Sequence, residues 1–186
     1  MYYFQKMNSK PICIKRQSIM EVTCVYNSYC NFYQISELSE TQWRQVFVEY
    51  WNGLPSTKRL TQNQRNERLN MLIGPSGYVV DVLKMFLRYR GQIFQERHNT
   101  PDNNFNSFVL AIDNGFLNIK VTKPYVFNHC VAIKNGYLVD SIGSKVYPWK
   151  GVIKGYGKYS LTSAIDTDLA TDYQLAQENI TVIDLT

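Results

Sequence analysis

The dipeptide Asn135-Gly136, set between Val131-Ala132-Ile133-Lys134 and Tyr137-Leu138-Val139-Asp140, limits what this chain can become more than any other feature. Asn-Gly between apolar stretches is the strongest short signal for a two-residue hairpin, because both turn positions need a positive φ that these residues tolerate. With that loop the pairing follows by counting: Lys134 opposes Tyr137, Ile133 opposes Leu138, Ala132 opposes Val139, Val131 opposes Asp140 and His129 opposes Ile142. Directly opposed residues share a face, as do residues two apart on a strand. His129 and Asp140 then become diagonal neighbours on one face, roughly 7–8 Å apart at the backbone. A carboxylate so placed can orient an imidazole. A bulged three-residue loop, Lys134 to Gly136, would instead set Cys130 against Asp140 and turn His129 to the other face. A solvated polar pair on an ordinary hairpin is the plain alternative, and the rest of the chain decides between them.

Ahead of the hairpin the pattern is mainly helical. After a short strand expected at Ile12 to Ile14, Val25, Tyr29, Phe32 and Tyr33 recur at helical spacing behind a possible Thr23 N-cap, which places Cys24 in the first turn. Ser39-Glu40-Thr41-Gln42 is a capping box, followed by a stripe of Trp43, Val46, Phe47, Tyr50 and Trp51. A polar helix is expected over 61–73, and another from Tyr78 to Arg90, ended by Gly91. The polar run Gln95 to Asn106, with His98, reads as an exposed loop. From Phe105 the period becomes extended. Phe108 to Asp113 and Phe116 to Val121 flank Asn114-Gly115 as a second hairpin, and Val146 to Trp149 adds a further strand. The end reads either as a helix around Asp168 to Glu178 or as a strand at Ile180 to Leu185. Helices first and an antiparallel β-meander second make an α+β chain, expected as one domain over 1–186.

Composition narrows the function classes. Hydrophobic content of 45% with 19% charged residues belongs to a folded domain. The lack of any long apolar run, in the Met1 to Lys6 start or elsewhere, points to a soluble cytoplasmic protein with no membrane partner. Cys13, Cys24, Cys30 and Cys130 form no Cys-x-x-Cys pair, so neither a disulfide framework nor a metal is expected. No cofactor is implied either. All 20 Lys and Arg fall at or before Lys158, against 10 acids, while the other five acids follow it. Such a basic body suits acidic partners or nucleic acid. Its densest cluster, Lys58, Arg59, Arg65 and Arg68, has no aromatic platform beside it, however, which disfavours a stacking reader of single strands.

A thiol becomes a good nucleophile only when deprotonated, so acyl transfer by cysteine needs a base and a group that orients the base. Cys24 is the nucleophile candidate, because free N–H groups and the helix dipole at a helix start stabilise a thiolate. A buried, inert Cys24 is the competing reading. His129 is the base candidate and Asp140 the orienter. Cys30 and Cys130 read as core residues, and Cys13 lacks a helix start.

A cysteine opening an N-terminal helix, followed by a sheet with His129-Cys130-Val131-Ala132-Ile133-Lys134-Asn135-Gly136 ending at Asp140, resembles the papain-like cysteine peptidase superfamily, in particular its small divergent bacteriophage members. The resemblance spans about Val22 to Ile142 and rests on two short patches. It implies the papain-like fold, a Cys24-His129-Asp140 triad, and a protein or peptide substrate cleaved by a peptidase or isopeptidase, in host cytoplasm if the protein is viral. It further implies an oxyanion-hole glutamine. Gln17 fits that role one residue further upstream than is usual, and Val25 replaces the Gly or Trp that commonly follows the cysteine. Transglutaminase-like amide exchange uses the same groups, and the fold can also be kept as an inactive module, for instance in a viral protein engaging a host partner.

Overall fold

Helix α1 (Cys24–Tyr33) lies at the centre of the molecule, and every residue from Val25 to Phe32 is buried. Its polar side chains therefore need partners inside the protein. Ser28 Oγ donates to the Cys130 carbonyl at 2.7 Å, and Asn27 Nδ2 donates to Thr23 Oγ1 at 2.8 Å. Thr23 consequently does not cap the helix through its side chain, contrary to expectation. The computed structural model describes residue 14 and residues 23–35, 37–74, 77–101 and 104–168. Gln17 and Cys13 lie outside them, as do the strand expected at Ile12 to Ile14 and both alternatives for the C-terminal stretch, Ile14 and Asp168 apart.

The aromatic stripe foreseen on the second helix does pack inward. Helix α2 (Glu40–Gly53) starts at a complete Ser39/Gln42 capping box and buries Trp43, Phe47 and Trp51. After the single turn α3 (Pro55–Lys58), helix α4 (Gln62–Leu72) starts at a second capping box, Thr61/Gln64, and buries no residue. A short ribbon, β1 (Ile73–Gly74) and β2 (Gly77–Tyr78), leads into α5 (Val80–Tyr89). Trp43 stacks on Phe86 of α5 with ring centroids 4.4 Å apart, and Tyr29 of α1 lies 5.2 Å from the same ring. Offset and tilted aromatic pairs of this kind each add on the order of 1 kcal/mol beyond their buried area.

Two sequence expectations fail between α5 and the hairpin. Gln95–His98 is a strand, β3, where an exposed loop was expected. Phe105–Leu110 is a helix, α6, which replaces the strand expected from Phe108 to Asp113. Phe105 and Val109 are spaced to bury one face of a helical turn and do so, although the continuous run Phe108 to Ile112 also reads as a strand. The Asn114-Gly115 pair accordingly makes no hairpin. Gly115 opens β4 (Gly115–Lys123), where a Cβ would stand 2.0 Å from the Ile165 carbonyl oxygen. Glycine is required there for close approach of backbone rather than for a turn.

The remaining strands are β5 (Phe127–Lys134), β6 (Tyr137–Asp140), β7 (Lys145–Pro148) and β8 (Lys158–Asp166). They form an antiparallel sheet in the order β3-β8-β4-β5-β6-β7, so β8 returns between the first two members. The β5–β6 turn is the two-residue form. Asn135 and Gly136 have φ of 51° and 73°, and Lys134 pairs with Tyr137, Ile133 with Leu138 and Ala132 with Val139. One sheet face, carrying Phe116, Cys130, Ala132, Val139 and Ile165, packs with the buried residues of α1, α2 and α5. The opposite face, with Leu117, Ile119, Val131 and Leu138, packs with Phe105 and Val109 of α6 and with Ile153. The architecture is α+β, and among the described residues no helix is long and apolar enough to cross a membrane.

Candidate functional site

His129 and Asp140 are both buried, at 3% and 0% exposure. The two-residue turn puts them on one face, and His129 Nε2 lies 2.9 Å from Asp140 Oδ1. Against a carboxylate that nitrogen carries the hydrogen and donates it, which fixes the ring orientation and leaves Nδ1 for another partner. Asp140 is held in turn. The Ile142 N–H donates to Oδ1 at 2.9 Å, and the Tyr156 hydroxyl donates to Oδ2 at 2.7 Å.

Tyr156 lies between β7 and β8, and the sequence reading did not single it out. Its ring centroid is 5.7 Å from that of His129, and Phe127, 6.3 Å from the imidazole and 6.1 Å from Tyr156, completes a cluster of three rings. Lys145 Nζ rests over the Tyr156 ring at 4.8 Å. Burial, reinforced by the adjacent Asp140 carboxylate, pushes the Tyr156 hydroxyl far above an ordinary phenol. It therefore acts as a neutral donor. The only local signal for it is the Lys154-Gly155-Tyr156-Gly157 corner, which marks a turn and nothing more.

Cys24 opens α1 and lines, with His129, a cavity of about 580 Å³. Burial alone would lower the His129 pKa, but hydrogen bonding to Asp140 and to Cys24, together with the negative charge that either can carry, pushes it up to about 9. The imidazole thus holds its proton through neutral pH. His129 thus stands between the Asp140 carboxylate and the Cys24 sulfur. Cys24, His129 and Asp140 are therefore brought together.

The other candidates separate from the site. Cys30 and Cys130 are buried among apolar side chains, and burial, helped by the nearby Cys24 charge, raises the Cys130 thiol well above its usual range, which makes it a poor nucleophile. His98, expected in a loop, reaches the cavity from the edge strand β3 while remaining largely exposed, with Nε2 3.5 Å from Glu96 Oε1. Lys58, Arg59 and Arg68 are exposed on α3, its end and α4, away from the cavity lining. Among the described residues no group of three or more His, Cys, Asp or Glu is placed to hold a metal ion.

No family model matches this chain, and no curated protein matches it. The chemistry of the site is therefore argued from its own residues. Asn118 and Ser163, both 5% exposed, lie side by side in the wall of the Cys24 cavity, and neither was singled out from the sequence. Asn118 Nδ2 donates to Ser163 Oγ at 2.9 Å. The strand over Phe116 to Val121 was foreseen, but nothing in its pattern marks Asn118, and Ser163 lies on β8, which was not.

Proposed function

We propose that the protein is a cysteine-dependent acyl-transfer enzyme of papain-like type, acting on a protein or peptide amide as a peptidase or isopeptidase. The observation that carries the reading is the buried Asp140-His129 pair, with its second ring nitrogen available to Cys24, the one cysteine among the described residues that starts a helix beside a cavity. In this reading Cys24 Sγ, as thiolate, adds to the substrate carbonyl carbon. His129 gives its proton to the leaving amine as the C–N bond breaks, and a thioester remains on Cys24. Water then attacks the thioester, His129 accepts its proton, and the acid product leaves with the thiolate restored. Asp140 holds the ring in position throughout, and Tyr156 and the Ile142 N–H hold Asp140. The N–H groups at the start of α1 are suited to receive the developing oxyanion. Gln17 is proposed as a further donor by the resemblance alone.

Substoichiometric iodoacetamide at pH 7, followed by peptide mass mapping, tests the reading. Cys24 is expected to react much faster than Cys30 and Cys130, and His129→Ala is expected to slow it by about tenfold or more, on the scale of general-base effects. A folded His129→Ala protein that alkylates at the unchanged rate would overturn the reading. An inactive papain-like module would keep the folded triad and lose no biological activity on Cys24→Ser.

A further inference from the structure

Asn118 is an unusual residue for a central strand. It lies on β4 between β5 and β8, pairs with Cys130 on one side and Ser163 on the other, and is almost wholly buried. Its Nδ2 is used by Ser163, while its Oδ1 has no hydrogen-bond partner. A buried carbonyl oxygen left without a donor keeps its desolvation cost uncompensated. Turning the amide over does not remove the cost, because Oδ1 would then take the Ser163 hydroxyl and Nδ2 would be left over. Either way one polar atom of Asn118 goes unused in the wall of the cavity that contains Cys24 and His129.

The geometry points to Asn118 as a specificity residue that, with Ser163, recognises a primary-amide side chain, Gln or Asn, on the peptide whose carbonyl meets Cys24. The inference rests on the acyl-transfer reading and names a substrate feature for it. Oδ1 is closed to solvent in the unliganded protein, and once the Asn118 side chain turns toward the cavity the amide N–H of the incoming side chain donates to it, while the incoming carbonyl accepts from the Ser163 hydroxyl. With Asn118 turned over, the same two groups of the ligand are matched in the opposite order. A hydroxyl or an apolar side chain satisfies at most one of them. Among the described residues no Asp, Glu, Lys or Arg lines the cavity, and the charge that His129 carries is already engaged by Asp140 and Cys24, which disfavours a Lys or Glu side chain there.

The experiment uses the full chain and tripeptide vinyl sulfones in which Gln, Leu, Lys or Glu is scanned through each position. Alkylation of Cys24 is followed by intact mass. At one position Gln is expected to react about tenfold faster than Leu, a factor typical of one well-made buried hydrogen bond. Asn118→Leu is expected to abolish that preference while keeping His129-dependent alkylation by iodoacetamide. Asn118→Asp is expected to move the preference toward Lys, and Ser163→Ala to weaken it if Asn118→Leu does not fold. Cys24 alkylation that depends on His129 but shows less than about a twofold preference for Gln at every position, or an equal preference in the variants, overturns the Asn118 assignment alone. Alkylation that is indifferent to His129 with every reagent overturns the acyl-transfer reading and the assignment with it.

Discussion

Replacing Asp140 by Asn keeps the volume of a fully buried side chain, removes its charge and turns one of its two acceptor oxygens into a donor, so the pH-dependent part of the stability change reports on the electrostatics of the site. His129 is held at about pH 9 in the folded protein, against roughly 6.5 for an unperturbed imidazole. A folded-state value above the unfolded one means that protonation stabilises the fold. That stability is fully present below about pH 6.5 and is lost as the pH rises through about 9. At 1.36 kcal/mol for each pH unit, the difference gives the protonated ring about 3 kcal/mol, an upper bound shared between Asp140 and Cys24. Asp140→Asn is therefore expected to lose roughly 1–2 kcal/mol more at pH 6 than at pH 10, where the wild-type ring is already neutral. Urea melts followed by tryptophan fluorescence at the two pH values measure the difference directly. An Asp140→Asn deficit of equal size at both pH values would refute the electrostatic account and leave the carboxylate a role as hydrogen-bond acceptor only.

Tyr156→Phe removes one donor from Asp140 and should cost about 1.5–3 kcal/mol, the range for a hydrogen bond to a charged group. Its Cys24 alkylation rate should fall less than in His129→Ala, because the 2.9 Å bond from the Ile142 N–H remains. The two glycines that follow asparagines should behave differently on substitution by Ala. At Gly136 the cost is the positive φ, about 1–2 kcal/mol, and the nearest atom, Asp113 Oδ1, is 3.4 Å away. At Gly115 the methyl would stand 2.0 Å from a strand carbonyl, so thermal denaturation should show the larger loss there, with β4 and β8 forced apart.

Where one short pattern had one physical meaning, the sequence was sufficient. The Ser39-Glu40-Thr41-Gln42 box starts α2, and Asn135-Gly136 sets the register that brings His129 to Asp140. Asn114-Gly115 has the same letters and a different cause, since Gly115 answers the approach of Ile165 across the sheet. A constraint from a strand fifty residues away leaves no local trace. Strand β8 escaped for a related reason. Its inner positions include Ser163 and Ala164, small residues that fit beside Asn118 and Leu117 rather than advertising a strand by bulk. Tyr156 could be found only through Asp140, because its role is a contact across a corner and not a spacing.

The β5–β6 turn has a further consequence. Its backbone is tied to the stretch before β4, with the Asn135 N–H on Asn114 Oδ1 at 2.9 Å and the Gly136 N–H on the Asp113 carbonyl at 2.8 Å, while the Trp149 N–H takes the Gly136 carbonyl at 2.8 Å. Anchored on both sides, the turn works as the zero mark of a ruler along which His129 and Asp140 are placed by residue count. One added residue in the turn would carry Asp140 to the face of α1 and bring a neighbour into its place. Length variation among any descendants of this chain should therefore collect at the exposed corner around Lys154 and Gly155 and be absent from Asn135-Gly136, even though both are surface turns.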